Sequence, residues 1–232
     1  MKTVVITGIN RGLGKELFQL FATHDYQVFG VLRNERDAQV LEKMLPENAQ
    51  LILADLAVDD AISVIQQAVG DASVDLLINN AGIGGEAFHL AAAETKEVFD
   101  LFNVHCLGVM RTVKALQVNL DRSKNAIVLN VNSRFGSITR QSQGTYSDLQ
   151  VSYSYRIAKA AQNMLTNCFR NEFKGKIKCI SLHPGKLKTQ LAQSDADADP
   201  RDIAHKILEY YEGGKFVEEH GIVELGKELI EW

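Results

Sequence analysis

The pair of side chains best suited to chemistry in this chain is a tyrosine and a lysine four residues apart, in the segment Tyr155-Arg156-Ile157-Ala158-Lys159. Residues at positions i and i+4 share one face of a helix, so the ammonium can lie beside the phenol ring. A fixed cation favours phenolate and lowers the pKa of a tyrosine from its ordinary value of about 10. The pair therefore predicts a general acid. Taken alone, the spacing also describes a half-buried ring beside a solvated lysine.

Tyr153 is the alternative acid, because it lies only two residues before Tyr155. A helix turns by about 200° over two positions, so the two rings point to different sides. No lysine stands four residues after Tyr153. Tyr155 is therefore the predicted proton donor.

A glycine-rich turn follows the first apolar run of the chain. Residues 4–6 are typical of a buried strand, and Gly8, Gly12 and Gly14 come directly after it. Such glycines let the backbone turn tightly and approach a pyrophosphate at the N-terminus of the helix that begins near Leu13. The spacing differs from the usual dinucleotide fingerprint, and glycine-rich turns also occur without ligands. In its strand-turn-helix context, the segment predicts nucleotide binding.

Strand-like and helix-like segments alternate along the whole chain, which predicts a parallel sheet with helices on both faces. We expect an α/β, doubly wound sheet of about seven strands, with ligands at the carboxyl ends of the strands. The predicted strands cover residues 4–6, 26–32, 50–54, 74–78, 125–131 and 177–182, with a short last strand around Phe216. The predicted helices cover residues 13–24, 35–45, 58–69, 95–117, 152–173 and 200–211.

Polar residues follow four of these strands directly, where a ligand is expected. They are Asp55, the run 79–82 (Asn-Asn-Ala-Gly), Asn132 with Ser133, and the run 183–185 (His-Pro-Gly). Each has a purely structural explanation, as a helix cap, a turn former or a loop residue. Their joint appearance at consecutive strand ends favours a single site.

Composition restricts the function further. The chain has 232 residues, of which 46% are hydrophobic, and this predicts a single domain over residues 1–232. Its net charge of −4 favours neither nucleic acid nor an anionic membrane as a partner. Three cysteines in apolar surroundings indicate reduced thiols, and no apolar run is long enough for a signal peptide or a membrane span. We expect a cytoplasmic protein and no metal site.

The chain carries, in this order, the motifs TGINRGLG, Asp55, NNAG, Ser133, YRIAK and PGKLKT. Together they resemble the motifs of the short-chain dehydrogenase/reductase family, of the compact single-domain type. The resemblance covers essentially the whole chain. It implies a Rossmann fold, with Tyr155 as acid/base, Ser133 orienting a substrate carbonyl, and Lys159 lowering the tyrosine pKa and holding the nicotinamide ribose. The segments NSRFGSI and YSYRIAKAAQNML resemble the carbonyl-reductase branch that includes the sniffer and C-factor-like proteins.

The resemblance also implies a site for NAD or NADP. The glycine loop would contact the pyrophosphate, Asp55 the adenine, residues 80–82 the adenine ribose side, and Thr189 the carboxamide. The full set of expected cofactor contacts is Gly8, Asn10, Arg11, Gly12, Leu13, Gly14, Arg33, Asp55, Leu56, Asn80, Ala81, Gly82, Tyr155, Lys159, Pro184, Gly185 and Thr189.

One position departs from the family. Its members usually have an asparagine three residues before a glycine of the long helix, and the backbone carbonyl of that residue holds a water that relays protons to the lysine. Counting back from Gly108 places His105 there. Asn103 lies two positions away and points to another face. A proton relay and ordinary packing are both open for this histidine, since histidine titrates at about pH 6.5.

Two arginines favour NADP(H) over NAD(H). The second strand ends in Leu32-Arg33-Asn34, without the acidic residue that holds the ribose 2′-hydroxyl in NAD-type sites. Arg33 and Arg11 together can grip a 2′-phosphate, because a guanidinium matches phosphate well. The alternative is that both are solvated surface arginines.

We therefore expect NADP-dependent reduction of a small ketone or aldehyde. Phe135, Phe88, His89 and Tyr153 are candidates for the wall of an apolar substrate pocket. The apolar arcs of the helices at 95–117 and 152–173 are wider than one sheet contact needs, which predicts a homodimer or homotetramer. A non-catalytic NADP-binding regulatory protein is the alternative function. A nucleotide-sugar epimerase would need a sizeable additional C-terminal domain.

Overall fold

A single parallel sheet organises the computed structural model, which describes residues 1–188, 196–218 and 220–232. Within these residues its strands are β1 (Lys2–Thr7), β2 (Tyr26–Leu32), β3 (Ala49–Leu53), β4 (Leu76–Asn79), β5 (Ile127–Val131), β6 (Lys178–His183) and β7 (Val223–Glu224). The strand order is β3-β2-β1-β4-β5-β6-β7, and every neighbouring pair is parallel. The chain winds outward from β1 on one side and from β4 on the other. The predicted doubly wound sheet is confirmed, and its switch point lies between β1 and β4.

The helices pack on the two faces of this sheet. They are α1 (Gly12–Ala22), α2 (Glu35–Glu42), α3 (Asp60–Val69), α4 (Thr95–Phe102), α5 (Gly108–Asp121), α6 (Ile138–Ser142), α7 (Tyr153–Phe173) and α8 (Pro200–Glu212). Side chains of a strand alternate between faces. Val4 and Ile6 accordingly join the core under α1 and α8, whereas Val5 joins the core under α3, α5 and α7. No helix of the described residues is long and apolar enough to cross a membrane.

Side-chain caps fix where α2, α6, α7 and α8 begin. The Ser152 hydroxyl accepts a hydrogen bond from the Tyr155 amide at 3.2 Å, so α7 starts at Tyr153 and holds Tyr155 in its first turn. Asn34 caps α2 in the same way through the Asp37 amide. Asp199 caps α8, whose first residue is Pro200. The start of α7 matters for function because it sets the height of Tyr155 above the sheet.

The predicted long helix at 95–117 is interrupted. Helix α4 ends at Phe102, a π-helical turn spans Asn103–Leu107, and α5 begins at Gly108. A π turn inserts one extra residue into the helical repeat and changes which side chains face the sheet. The turn contains His105.

The predicted last strand around Phe216 is wrong. Phe216 is fully buried and packs against Tyr210, with ring centroids 5.8 Å apart, and the edge strand is Val223–Glu224 instead. The apolar pair Phe216-Val217 resembles a strand in sequence, but its aromatic ring fills the core beside α8. Helix α2 also ends earlier than predicted, at Glu42, and the short helix α6 had no clear sequence signal.

Candidate active site

The glycine turn after β1 places backbone where side chains cannot fit. Gly8 and Gly12 have φ of +73° and +56°, a region that favours glycine. A Cβ on Gly8 would lie 2.7 Å from the Cα of Ala81, and a Cβ on Gly14 would lie 2.2 Å from the Gly8 carbonyl oxygen. Gly8 and Gly12 line the large cleft at the switch point, whereas Gly14 does not. Gly14 has a packing role, because the absence of a side chain lets α1 lie against the turn, and its pyrophosphate contact stays a prediction.

Thr7 and Asn80 lock the turn to the end of β4. The Thr7 hydroxyl accepts hydrogen bonds from the amides of Asn80 and Ala81, each at 3.0 Å. The Asn80 side chain donates to the carbonyl oxygens of Thr7 and Gly8 at 3.0 and 3.1 Å. Asn80 thus acts as a brace for the glycine turn as well as lining the cleft. Thr7 was not among the predicted site residues, and its only signal in the sequence is a hydroxyl at the last position of the first strand.

Both predicted arginines lie at the far end of the cleft. Arg11 and Arg33 line it together with Asp55, and Asp55 also accepts a hydrogen bond from the Ala57 amide at 3.0 Å. Asp37, which was not predicted, lines the same end and accepts a hydrogen bond from the Asn10 side chain at 3.0 Å. This end therefore combines two guanidinium groups with two carboxylates.

The catalytic candidates meet at the opposite end. A side-chain hydrogen bond joins Ser133 and Tyr155, and the Lys159 Nζ lies 5.7 Å from the centroid of the Tyr155 ring. The turn after Ser133 touches α7 directly, since a Cβ on Gly136 would lie 2.8 Å from the Lys159 carbonyl oxygen. The predicted Ser-Tyr-Lys set is thereby brought together by the end of β5 and the first turns of α7.

Burial controls the pKa values of the pair. The Tyr155 ring keeps some access to the cleft, yet the surrounding protein raises its pKa to about 12, and the hydrogen bond from Ser133 only partly opposes this. Burial lowers the pKa of Lys159 to about 7. A poorly solvating environment disfavours phenolate and ammonium alike. The expected net lowering of the Tyr155 pKa is therefore absent, because burial is the dominant effect, and Tyr155 stays protonated at neutral pH.

His105 lies against both members of this pair. Its ring meets the Tyr155 ring edge-on, with centroids 5.5 Å apart, and a Cβ on Gly82 would lie 2.5 Å from its Cε1. Nε2 lies 2.8 Å from the Ile83 carbonyl oxygen and 3.3 Å from the Ile83 amide nitrogen, and the shorter contact favours the tautomer with hydrogen on Nε2. Nδ1 is buried with no hydrogen-bond partner among the described residues. Burial and the nearby Lys159 ammonium hold the pKa of His105 well below its ordinary value, so the ring is neutral.

A buried polar network supports the catalytic end from below. Asn132 donates to the Asn163 side-chain oxygen and to the Lys159 carbonyl oxygen, and Ser181 donates to the same Asn163 oxygen at 2.7 Å. The Lys159 ammonium donates to Gln162 and to the Val131 carbonyl oxygen. Sequence analysis missed Asn163 and Gln162. Their signal is the presence of amides on the sheet-facing stripe of α7, where apolar residues are expected.

The segment after β4 forms one wall of the substrate end. The Glu97 carboxylate of α4 accepts a hydrogen bond from the Ser154 hydroxyl and another from the Glu86 amide at 2.9 Å. Burial opposes ionisation of Glu97, but hydrogen bonds from Ser154 and from the backbone at Glu86 and Ala87 outweigh it and lower its pKa. Glu97 therefore ties the segment to the start of α7.

Two of the four predicted wall residues line the substrate end. Phe88 and Phe135 do so, whereas His89 does not and Tyr153 is 43% exposed outside the cleft. The position of Tyr153 removes it as the alternative acid. Arg134 also lines this end and stacks over Phe135, with its guanidinium carbon 4.8 Å from the ring centroid.

The whole cleft fits a nicotinamide dinucleotide. It has a volume of about 1070 Å³ and runs from the two arginines to Tyr155, and the glycines at positions 8 and 12 line it at the turn. Thr189 lies outside the described residues. The predicted site residues that line the cleft are Gly8, Asn10, Arg11, Gly12, Leu13, Arg33, Asp55, Leu56, Asn80, Ala81, Gly82, His105, Ser133, Tyr155, Lys159, Pro184 and Gly185.

Comparisons with known proteins agree with this geometry. A family model described as short chain dehydrogenase matches residues 2–200. The NADPH-dependent 3-dehydrocapnine reductase of Ornithobacterium rhinotracheale is 29% identical over 202 residues, which cover 82% of this chain and 67% of the relative.

Two solved structures extend the likeness to the full length of the chain. The carbonyl reductase Sniffer of D. melanogaster is 27% identical with a TM-score of 0.86, and 100% of both chains is covered. A carbonyl reductase from Pseudomonas aeruginosa PAO1, in complex with NADP, is 25% identical with a TM-score of 0.81, again with 100% of both chains covered. The resemblance inferred from the motifs is confirmed: the chain is an oxidoreductase of the short-chain dehydrogenase/reductase family, near its carbonyl reductases.

Proposed function

We propose that this protein is an NADP-dependent carbonyl reductase that converts a small ketone or aldehyde to an alcohol. The observation that carries the proposal is the position of Tyr155, a protonated phenol that reaches the cleft between Ser133 and Lys159. When bound, the nicotinamide dinucleotide supplies the hydride that adds to the carbonyl carbon.

Each of the three side chains has a separate task in this reaction. Tyr155 gives its proton to the carbonyl oxygen as negative charge develops there. Ser133 donates a hydrogen bond to the same oxygen, where preorganised donors are most effective. The Lys159 ammonium lies beside the phenol and stabilises the phenolate that remains after proton transfer. In the reverse direction the same groups oxidise an alcohol.

NADP is proposed as the preferred cofactor because of the far end of the cleft. Arg11 and Arg33 both line it, and guanidinium groups suit a 2′-phosphate. The relative from Ornithobacterium rhinotracheale is described as NADPH-dependent, and the Pseudomonas aeruginosa carbonyl reductase was solved with NADP. Both support the use of NADP by this chain.

His105 is proposed to take part in proton supply through Nδ1, as a neutral acceptor. The Nε2 hydrogen is directed to the Ile83 carbonyl oxygen, which leaves the Nδ1 lone pair for a hydrogen bond from water. Its buried Nδ1 lies in a ring that contacts Tyr155 and is electrostatically coupled to Lys159. The alternative is that the ring only packs.

We also propose that the chain forms one domain over residues 1–232 and acts as a cytoplasmic homodimer or homotetramer. A single sheet that includes both Lys2 and Glu224 supports one domain. The three cysteines are free thiols, which agrees with a reducing compartment. Exposed apolar residues on α4, α5 and α7 support assembly.

The test is a panel of ketones and aldehydes assayed with NADPH by loss of its absorbance. On any substrate that the wild type reduces, Tyr155→Phe is expected to abolish reduction with nearly unchanged cofactor affinity, since it removes the proton donor and keeps the ring. Lys159→Ala is expected to impair both. Tyr153→Phe is the matched control, because that ring is exposed outside the cleft. A Tyr155→Phe protein that keeps more than a few per cent of the wild-type rate contradicts the assignment.

A further inference from the structure

The ammonium of Lys159 is held by two acceptors on the protein side of the site. Its Nζ lies 2.9 Å from the Val131 carbonyl oxygen and 2.9 Å from the Gln162 side-chain oxygen. Lys159 and Gln162 are 4% and 1% exposed. An ammonium has three N–H donors. These contacts engage two of them and leave one for a group that enters the cleft, which Lys159 lines.

Gln162 is placed and fixed by helix α7. It follows Lys159 by three residues, so both side chains lie on one face of the helix. Its backbone carbonyl accepts a hydrogen bond from the Thr166 hydroxyl at 2.9 Å. A buried amide costs free energy unless it is hydrogen-bonded, and the partner of this amide oxygen is the lysine.

We propose that Gln162 is a positioning residue, whose side-chain oxygen holds the Lys159 ammonium at the end of β5 and keeps it charged beside Tyr155. Its importance for catalysis rests on the proposed function, whereas the contact itself does not.

Within the part of the chain that the structure describes, the titratable groups recorded against Lys159 give its ammonium no counter-charge. Tyr155 faces it from α7 and His105 from the π-helical turn. Both are neutral at neutral pH, because burial raises the pKa of the phenol and lowers that of the imidazole. Burial has already lowered the pKa of Lys159 to about 7. The two oxygen acceptors therefore decide how much of the charge remains.

The test compares the Lys159 pKa in wild type, Gln162→Leu, Gln162→Glu and the control Asn119→Leu. The pKa is measured by NMR titration of protein labelled with ¹³C at lysine Cε, and the Lys159 signal is identified by its loss in Lys159→Met. Gln162→Leu is expected to lower this pKa by about one pH unit or more, since it removes an acceptor to a charged group. Gln162→Glu is expected to raise it. Asn119→Leu makes the same change, from a buried side-chain amide to leucine, near the end of α5 where Asn119 donates to the Gly70 carbonyl oxygen, and it is expected to leave the Lys159 pKa unchanged.

Thermal melting of each variant separates positioning from structural support. A lower Tm of Gln162→Leu with an unchanged Lys159 pKa overturns the proposal. An unchanged Lys159 pKa in Gln162→Glu overturns it as well. The glutamate variant decides the question if the leucine variant does not fold. Failure of the wild type to reduce any carbonyl contradicts the proposed function alone, because the titration needs no substrate. If the enzyme is active, the pH profile of kcat/KM is expected to shift with the Lys159 pKa.

Discussion

At the scale of residues, burial acts on both Tyr155 and Lys159, whose ionised forms carry opposite charges. Burial raises the pKa of Tyr155 to about 12 and lowers that of Lys159 to about 7. The tyrosine therefore holds its proton at neutral pH, as an acid for reduction must, while the lysine charge is retained only in part. Such a buried ammonium opposes folding, because water solvates it better in the unfolded chain.

The burial of Lys159 predicts a particular pH dependence of stability. Between its native pKa of about 7 and its ordinary value of 10.5, the unfolded chain binds more protons than the native protein. The contribution of Lys159 to the free energy of unfolding therefore rises with pH across that window. The same contribution is lost as the pH falls towards 7, because the native lysine must then take up a proton in its buried position. Methionine cannot titrate. The stability of wild type relative to Lys159→Met should increase by at least about 1 kcal/mol between pH 7 and pH 9.5.

Urea unfolding of both proteins at the two pH values measures this difference, and other titrating groups cancel in the comparison. An equal difference at both pH values would mean that Lys159 titrates normally in the native state.

Arg33 carries the prediction for the cofactor. A charge-assisted contact to a 2′-phosphate contributes roughly 1.5 to 3 kcal/mol. Arg33→Asp removes that contact, adds repulsion, and offers a carboxylate to the ribose hydroxyls of NADH. Affinity for NADPH should fall at least about tenfold, while affinity for NADH should not fall with it.

Dissociation constants of both cofactors for wild type and Arg33→Asp decide this prediction. Arg36→Asp is the matched control, since it makes the same charge change at an exposed position of α2 that does not line the cleft. If wild type binds the two cofactors equally, or if Arg33→Asp weakens both alike, the assignment to NADP is withdrawn.

At the scale of elements, the π-helical turn between α4 and α5 shapes the region around Tyr155. The turn spans Asn103–Leu107 and places the His105 ring against Gly82 and Tyr155. One inserted residue corresponds to a rotation of about 100° around the helix axis. In an uninterrupted α-helix, the side chain of His105 would therefore point in a different direction relative to α5. The turn thus brings a side chain from the helical layer to the switch point of the sheet.

Two substitutions distinguish a relay role of His105 from packing. His105→Asn supplies the residue usual in the family and keeps an acceptor, so reduction should continue at a rate near that of wild type. His105→Phe keeps a ring of similar shape but has no acceptor, and its kcat should fall by about tenfold or more. Steady-state rates on one verified substrate, with Tm as the measure of folding, give the ranking. A phenylalanine variant as active as wild type assigns the ring to packing.

The elements also explain what the sequence could predict. Repeated β-branched runs and strand-end polar residues indicated the sheet, and order along the chain indicated that Ser133, Tyr155 and Lys159 meet. A one-residue insertion hardly changes an apolar repeat, so the π turn was read as continuous helix. The roles of Thr7 and Gln162 depend on hydrogen bonds between distant or buried atoms, for which spacing carries little signal. A motif also carries no information about burial. This is why the sequence predicts a lowered pKa for Tyr155, whereas burial raises it.

At the scale of the whole molecule, α4, α5 and α7 present apolar side chains to solvent. Phe99, Met110, Ile157 and Met164 are exposed on them, and α4 contacts α7. Single exposed apolar residues are common, but a group of them on neighbouring helices is typical of an interface. The chain's own described segments do not cover these residues.

This surface predicts a homodimer or homotetramer at micromolar concentration, measured by light scattering. Met164→Lys should shift the protein towards monomer, because a charge buried in an interface without a partner is costly. Met44→Lys is the matched control, since Met44 is similarly exposed but lies outside these helices. Wild type that remains monomeric, or equal behaviour of the two variants, would argue against this interface.

The lining of the cleft also divides into two stretches of the gene, with the boundary just after β4. Apart from residues 183–188, the cleft is built by one stretch that ends at Gly82 and carries the glycine turn and both arginines, and by a second that carries the catalytic set. Substitutions in the first stretch therefore act on the end of the cleft that holds the arginines, and substitutions in the second act on the end that holds Tyr155. A recombination junction just after Gly82 would preserve the brace from Asn80 to Thr7, but the two stretches share both cores, so a chimera must also keep the packing of α1 with α8 and of α3 with α5.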